Sequence, residues 1–274
     1  MAGNKIKEIL KNKSFVVGSM IFMSVIVCAI FADYIALCPY DEMHLIDKLQ
    51  KPSSTYFLGT DMYGRCIFSR IIYGTRIVLK VGLIITLIQA GIGVTLGLLS
   101  GYYGGVIRKI IMFITDVTWA MPSIIMALAI ITILGPGLTN VIIAIALVGW
   151  AQYTRIIDAK AQTIKYLPFV EAGRVLGETD FNIIVRYILP NLINQIIILM
   201  TLTLPSAVIS TSGLGFLGLG AQPPVPDWGV ILSEGTRYLK NAPWIAIAPG
   251  FSLVYTVLGF NIFGEGLKEI LDPK

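Results

Sequence analysis

The chain has 274 residues, of which 55% are hydrophobic and 14% charged, against about 25% charged in an average soluble domain. The apolar residues fall in blocks of 18 or more, long enough to cross a hydrocarbon core about 30 Å thick, which excludes a soluble protein of one or two domains. The net charge of +5 is spread between those blocks rather than gathered in a stripe, so it excludes a nucleic-acid footprint and carries topology instead.

Six spanning helices are predicted, at about 15–37, 77–101, 110–134, 138–156, 192–218 and 243–264. Lys5, Lys7, Lys11 and Lys13 precede the first. Its apolar run from Phe15 to Ala32 is longer than the roughly 7–15 residues of a secretory h-region, so it reads as an uncleaved span. Placing the N-terminus in the cytoplasm puts 13 Lys and Arg on that side and 7 outside, with Lys80 inside the second span. Every connecting segment is shorter than about 60 residues, so this bias sets orientation and both termini are expected in the cytoplasm. Residues 1–76 then form an N-terminal helix and an extracytoplasmic loop. Residues 77–274 form the main transmembrane domain, with a cytoplasmic loop at 157–190.

The outer loop at 38–76 holds His44, the one histidine of the chain, which cannot build a metal site alone. Cys28, Cys38 and Cys66 are an odd, scattered set with neither a disulfide framework nor metal spacing; no metal site is expected. In the second span Lys80 is placed to snorkel outward. Gly93, Gly97, Gly101 and Gly105 recur every four residues. They leave one helix face bare for close approach by another helix, in this chain or a partner, although membrane helices also tolerate glycine without such a role. Asp116 in the third span has two readings. A carboxylate at membrane depth faces the protein interior or water and can line a path, or it is an interfacial acid paired with a base such as Arg108 or Lys109. Pro122 is expected to kink this span.

The cytoplasmic loop reads PFVEAGRVLGETDFNIIVRYILPN. Pro168 suits a first helical position, because its missing N–H would have no partner there. Glu171 in the first turn meets the positive end of the helix, and Gly177 supplies a left-handed stop. Residues 168–176 are therefore a short helix, with Asp180 capping a second that ends before Pro190. So short a helix is marginal in water by itself, and Phe169, Val170, Val175 and Leu176 give it reason to dock; the alternative is a plain connector at the membrane surface. Gly213, Gly215 and Gly218 spell G-x-G-x-x-G, but inside a span and without a βαβ unit, so they bind no nucleotide; they are expected to loosen the outer end of the fifth span. In the outer segment 221–239, Pro223, Pro224 and Pro226 stiffen the chain and Trp228 suits a membrane interface.

Glu171-Ala172-Gly173 with Arg174, Gly177 and Leu189-Pro190 resembles the EAA loop of bacterial ABC import permeases, where Ala usually stands in place of Gly173. A second stretch, LGTDMYGRCIFSRIIYGTR, is similar to the segment before the second span in dipeptide, oligopeptide and nickel permeases. It matches at Leu58, Gly59, Thr60, Asp61, Gly64, Arg65, Ser69, Arg70, Gly74 and Arg76, with Cys66 where an Asp is usual. Segments 134–150, 216–224 and 271–273 also look like this family, in particular like the second permease of the pair. The resemblance implies an all-α, type I ABC importer permease in the bacterial cytoplasmic membrane. It implies a second permease, two ATPase subunits that carry ATP and Mg, and an extracytoplasmic substrate-binding protein. The loop around Glu171 would receive the ATPase stroke. The chain itself has no P-loop and is expected to bind no cofactor and to catalyse nothing. Substrates would be peptides or nickel complexes. A secondary transporter or channel is the alternative, but it needs coupling charges in the spans, which are nearly uncharged. A membrane enzyme would need a buried nucleophile–base pair or a metal cluster, for which this sequence offers no candidates.

Overall fold

The computed structural model describes residues 11–271; Lys5, Lys7, Lys274 and the Asp272-Pro273 pair lie outside them. Chain order is α1 (Lys13–Ile30), the single turn α2 (Ala32–Ile35), α3 (Ile67–Tyr103), α4 (Gly105–Ala120), α5 (Ser123–Leu134), α6 (Leu138–Ile164), α7 (Pro168–Val175), α8 (Asp180–Asn182), α9 (Leu189–Phe216), α10 (Trp228–Thr236) and α11 (Trp244–Leu271). A π-helical segment, Ile183–Ile188, joins α8 to α9. No strand forms among the described residues. Five helices are long and apolar enough to cross a membrane: α1, α3, α6, the continuous run from α8 through α9, and α11. Taken together, α4 and α5 make a sixth, bent by 92°.

Four boundaries differ from the sequence expectation, each for a local reason. Helix α3 starts at Ile67, not near 77, so the division at 76/77 falls inside it. Its first turns carry Ser69, Arg70 and Arg76, which hydropathy scores as loop but which here bond to protein. The third span is broken, not merely kinked. Met121 is extended, with φ −96° and ψ 138°, as sterics favour before proline, and α5 restarts at Ser123. Helix α6 continues past 156 to Ile164, carrying Asp158 on its buried side. Finally, no helix ends before Pro190. The π segment widens the helix just ahead of it, and the Leu189 N–H reaches back to the Ile184 carbonyl. That relieves the clash a proline ring makes one turn back.

Helix α3 packs along α6 more extensively than any other pair of helices. A methyl group at Gly97 would stand 2.7 Å from the Ile157 Cβ, and one at Gly101 2.7 Å from the Ala161 Cβ. Gly93 likewise meets Tyr153 and the Trp150 carbonyl. These three glycines bring the two backbones together within the chain. Gly105 does not join them: the chain has turned at Gly104, Gly105 sits at φ +53°, and nothing approaches it. Helix α1 packs on α11, where Phe22 and Phe263 stack with centroids 4.9 Å apart.

Candidate functional site

The end of the bundle bearing residues 165–188 is built around α7. Pro168 opens the helix and Glu171 lies in its first turn. Gly177 closes it at φ +84°. Its N–H donates to the Arg174 carbonyl and that of Glu178 to the Gly173 carbonyl, at 3.0 and 3.1 Å, which is a Schellman stop. Val170 and Gly173 are buried, while Glu171 and Ala172 face outward. The ring of Tyr187 lies where a methyl at residue 173 would press, 3.2 Å from its Cζ, so the usual Ala there would need that ring to shift by a few tenths of an ångström. Thr179, not Asp180, caps the following turn, accepting from the Asn182 N–H at 3.3 Å. Leu189 is half-buried and Pro190 exposed. The outer face of this end is apolar: Val175 is 88% exposed, Leu176 81% and Phe181 72%, with Phe169 beside them.

This surface is tied to the bundle through Tyr102, near the end of α3. The Tyr102 hydroxyl donates to the Asp180 carboxylate at 2.5 Å. Its carbonyl accepts from Lys165 Nζ at 2.5 Å, and the Arg174 guanidinium lies 5.4 Å from its ring centroid. One turn away, buried Asp158 of α6 accepts from Ser100 (2.6 Å), Arg108 (3.1 Å) and Gln162 (2.8 Å). Helix α7 itself meets α3 through Arg174 against the Tyr102 ring, while Asp180 just beyond it is held by the Tyr102 hydroxyl and Asp158 ties α3, α4 and α6 together. Sequence reading missed Tyr102 and Asp158, because their partners on other helices lie 50 or more residues away.

At the opposite end the motif from 58 to 76 is a brace. Asp61, Arg65 and Arg70 are each 1% exposed. Asp61 accepts from both guanidinium groups at 2.6 Å, and Glu234 from α10 approaches the same two at 3.4 and 3.3 Å. Gly59 and Gly64 take φ near +73°, and a side chain at Gly64 would strike the His44 carbonyl. Ser69 Oγ accepts from Leu37 and Cys38 N–H groups. Arg76 donates to the Ala29 carbonyl at 2.6 Å and pairs with Asp33 at 2.8 Å. Trp228, expected at a membrane interface, is buried over Gly74 and donates to the Ile71 carbonyl at 3.0 Å. Cys66, at the start of α3, makes no side-chain cap, where an Asp is well suited to make one. Asp227 caps α10 through the Gly229 N–H at 2.7 Å. Burial pushes its carboxyl above the usual range, partly offset by that N–H and that of Val230. The run Gly213, Gly215, Gly218 forms the stop of α9, with Gly218 at φ +81°. His44 pairs with Glu42 at 3.1 Å, half-exposed.

Between the ends, α5, α6 and α9 border a cleft of about 160 Å³, which shares Ser123, Gly149 and Gln152 with a second of about 350 Å³ beside the Met121–Pro122 break. Ser123, Gln152, Ser206 and Ser210 line it. Gln89 enters from α3 through the notch at Gly149 and donates to the Ile145 carbonyl at 3.0 Å. Asp116 is outside this lining. It pairs with Arg155 of α6, not with Arg108 or Lys109, both partners about half-exposed. Arg155 also lies over the Trp119 ring, 5.0 Å from its centroid.

Residues 93–274 match the family described as binding-protein-dependent transport system inner membrane component. Residues 6–52 match the N-terminal transmembrane domain of oligopeptide transport permease C. The chain is 43% identical to the dipeptide transport system permease protein DppC of Alkalihalophilus pseudofirmus, over 98% of this chain and 88% of that one. It is 40% identical to the glutathione transport system permease protein GsiD of Pectobacterium atrosepticum, over 98% and 89%, and 40% identical to GsiD of Escherichia coli O157:H7, over 94% and 85%. With its brace motif, its bundle of apolar helices and these matches, the chain belongs to the binding-protein-dependent inner membrane transport permeases, as a multi-pass membrane protein.

Proposed function

We propose that this chain is one of two permease subunits of an ATP-driven importer of small peptides, with the end bearing α7 in the cytoplasm. The orientation rests on the excess of Lys and Arg at that end. The named relatives transport a dipeptide or glutathione, which favours peptides over nickel complexes as cargo. The observation that carries the coupling role is α7 itself: a capped helix, tied down by Tyr102, that holds Val175 and Leu176 out in water. An exposed apolar surface of this kind marks a site where a partner binds.

On this reading each permease offers such a helix to one of two ATPase subunits, which bind ATP and Mg. Closure of the ATPases moves Glu171 to Gly177, and the movement enters α3 through Arg174 and Asp180 against Tyr102. The close contact at Gly93, Gly97 and Gly101 makes α3 and α6 move as one body. A different chain forms the other half of the path. An extracytoplasmic binding protein delivers peptide at the end held by Asp61, Arg65 and Arg70. The test is single replacement of Glu171 by Ala and Gly177 by Val in the complex co-expressed with its ATPases. Retention of the ATPases, or peptide-stimulated ATP hydrolysis, should fall while the permeases stay folded and paired. If both stayed normal, α7 would be a plain connector.

A further inference from the structure

The cleft between α5, α6 and α9 has hydrogen-bonding capacity that the fold does not use. Several threonine hydroxyls elsewhere in the spans bond to their own helix, Thr115 to the Ile111 carbonyl, Thr132 to Leu128 and Thr211 to Ala207, all at 2.8 Å, while the isolated Ser19 and Thr86 hydroxyls have no partner. Among the described residues, the side chains of Ser123, Gln152, Ser206 and Ser210 make no such bond. All four line one cleft, and Gln152 and Ser206 sit near the middle of their helices. The broken backbone at Met121–Pro122 borders the same space, and the last carbonyls of α4 have no helical partner there. Irregular backbone at membrane depth is tolerated where it is buried in protein or lines a water-filled cavity. Uncommitted amides and hydroxyls are costly against hydrocarbon for the same reason.

The chemistry of the lining is specific. Hydroxyls and an amide donate and accept, free carbonyls accept, and no charged side chain lines either part of the cleft. Asp116 and Arg155, outside this lining, pair with each other, and Arg155 also lies over the Trp119 ring. We infer that this cleft is the chain's half of the translocation path, and that it carries peptides by neutral hydrogen bonds to their backbone N–H and C=O groups. Such a lining matches what all peptides share and ignores the charge of their side chains. The inference rests on the importer reading above.

The test uses the assembled importer in proteoliposomes, with acidic, neutral and basic dipeptides as cargo. Gln152→Glu should lower uptake of acidic relative to basic dipeptides by about tenfold, the size expected of a like charge a few ångström away in a wet site. Gln152→Lys should do the reverse. Should either variant fail to assemble, Ser206→Cys should react with a water-soluble methanethiosulfonate reagent beyond the labelling of the native Cys28, Cys38 and Cys66, and saturating dipeptide should slow that reaction. Unchanged cargo ratios in both charge variants, or an unreactive thiol at 206, would overturn the inference and make the cleft a contact with the other permease. A parent complex that imports no dipeptide would instead overturn the importer reading itself, and that control is read before any variant.

Discussion

The motif around Asp61 at one end of the bundle and α7 at the other use their charges in opposite ways. At the end formed by residues 38–66 and α10, Asp61, Arg65 and Arg70 turn inward and are buried against each other and Glu234. At the other end Glu171 faces out beside an exposed apolar surface, and one tyrosine hydroxyl and one lysine supply the main polar ties. The first arrangement fixes a loop that would otherwise be mobile. The second holds a small helix in place yet lets it open locally at modest cost, as regions with few buried contacts do. A molecule built this way is rigid where cargo would be delivered and adaptable where a stroke would arrive.

The contrast can be broken at either end. Asp61→Asn should have the largest effect, about 3–5 kcal/mol of stability, because it leaves two buried guanidinium groups short of an anion. Thermal unfolding of the purified protein in detergent reads it directly; a loss of less than about 1 kcal/mol, as for an exposed pair, would mean that water reaches the cluster. Tyr102→Phe should cost less, about 1.5–3 kcal/mol for a bond to a carboxylate, and the loss should be local. Hydrogen exchange should accelerate across 168–182 and stay unchanged in α3 and α6. Equal acceleration in all three would show that α7 is part of one cooperative unit with the bundle.

Much of this was legible in the sequence, and the failures share a cause. The spans were visible in hydropathy, and the start and stop of α7 in Pro168 and Gly177, since both are local properties of one or two residues. The early start of α3 was hidden because Ser69, Arg70 and Arg76 look like loop residues until their partners are known. The passage of a helix through Pro190 depended on a π segment that no residue type announces. Gly105 fitted the four-residue repeat but falls after the chain has turned at Gly104. Of the two readings of Asp116, the structure shows a paired acid, but its base comes from α6 and not from Arg108 or Lys109. The brace motif was visible as a pattern, whereas the burial of its charges required Glu234 from a segment 164 to 169 residues away.

The most direct measurement of the central proposal is hydrogen exchange of residues 168–182 in the permease pair alone and in the pair with its ATPases bound. The account predicts that the amides of α7 exchange markedly more slowly when the ATPases are present, while those of the 38–66 loop do not change. Equal exchange of α7 in the two states would contradict it, because a helix that receives the stroke has to be covered by the subunit that delivers it.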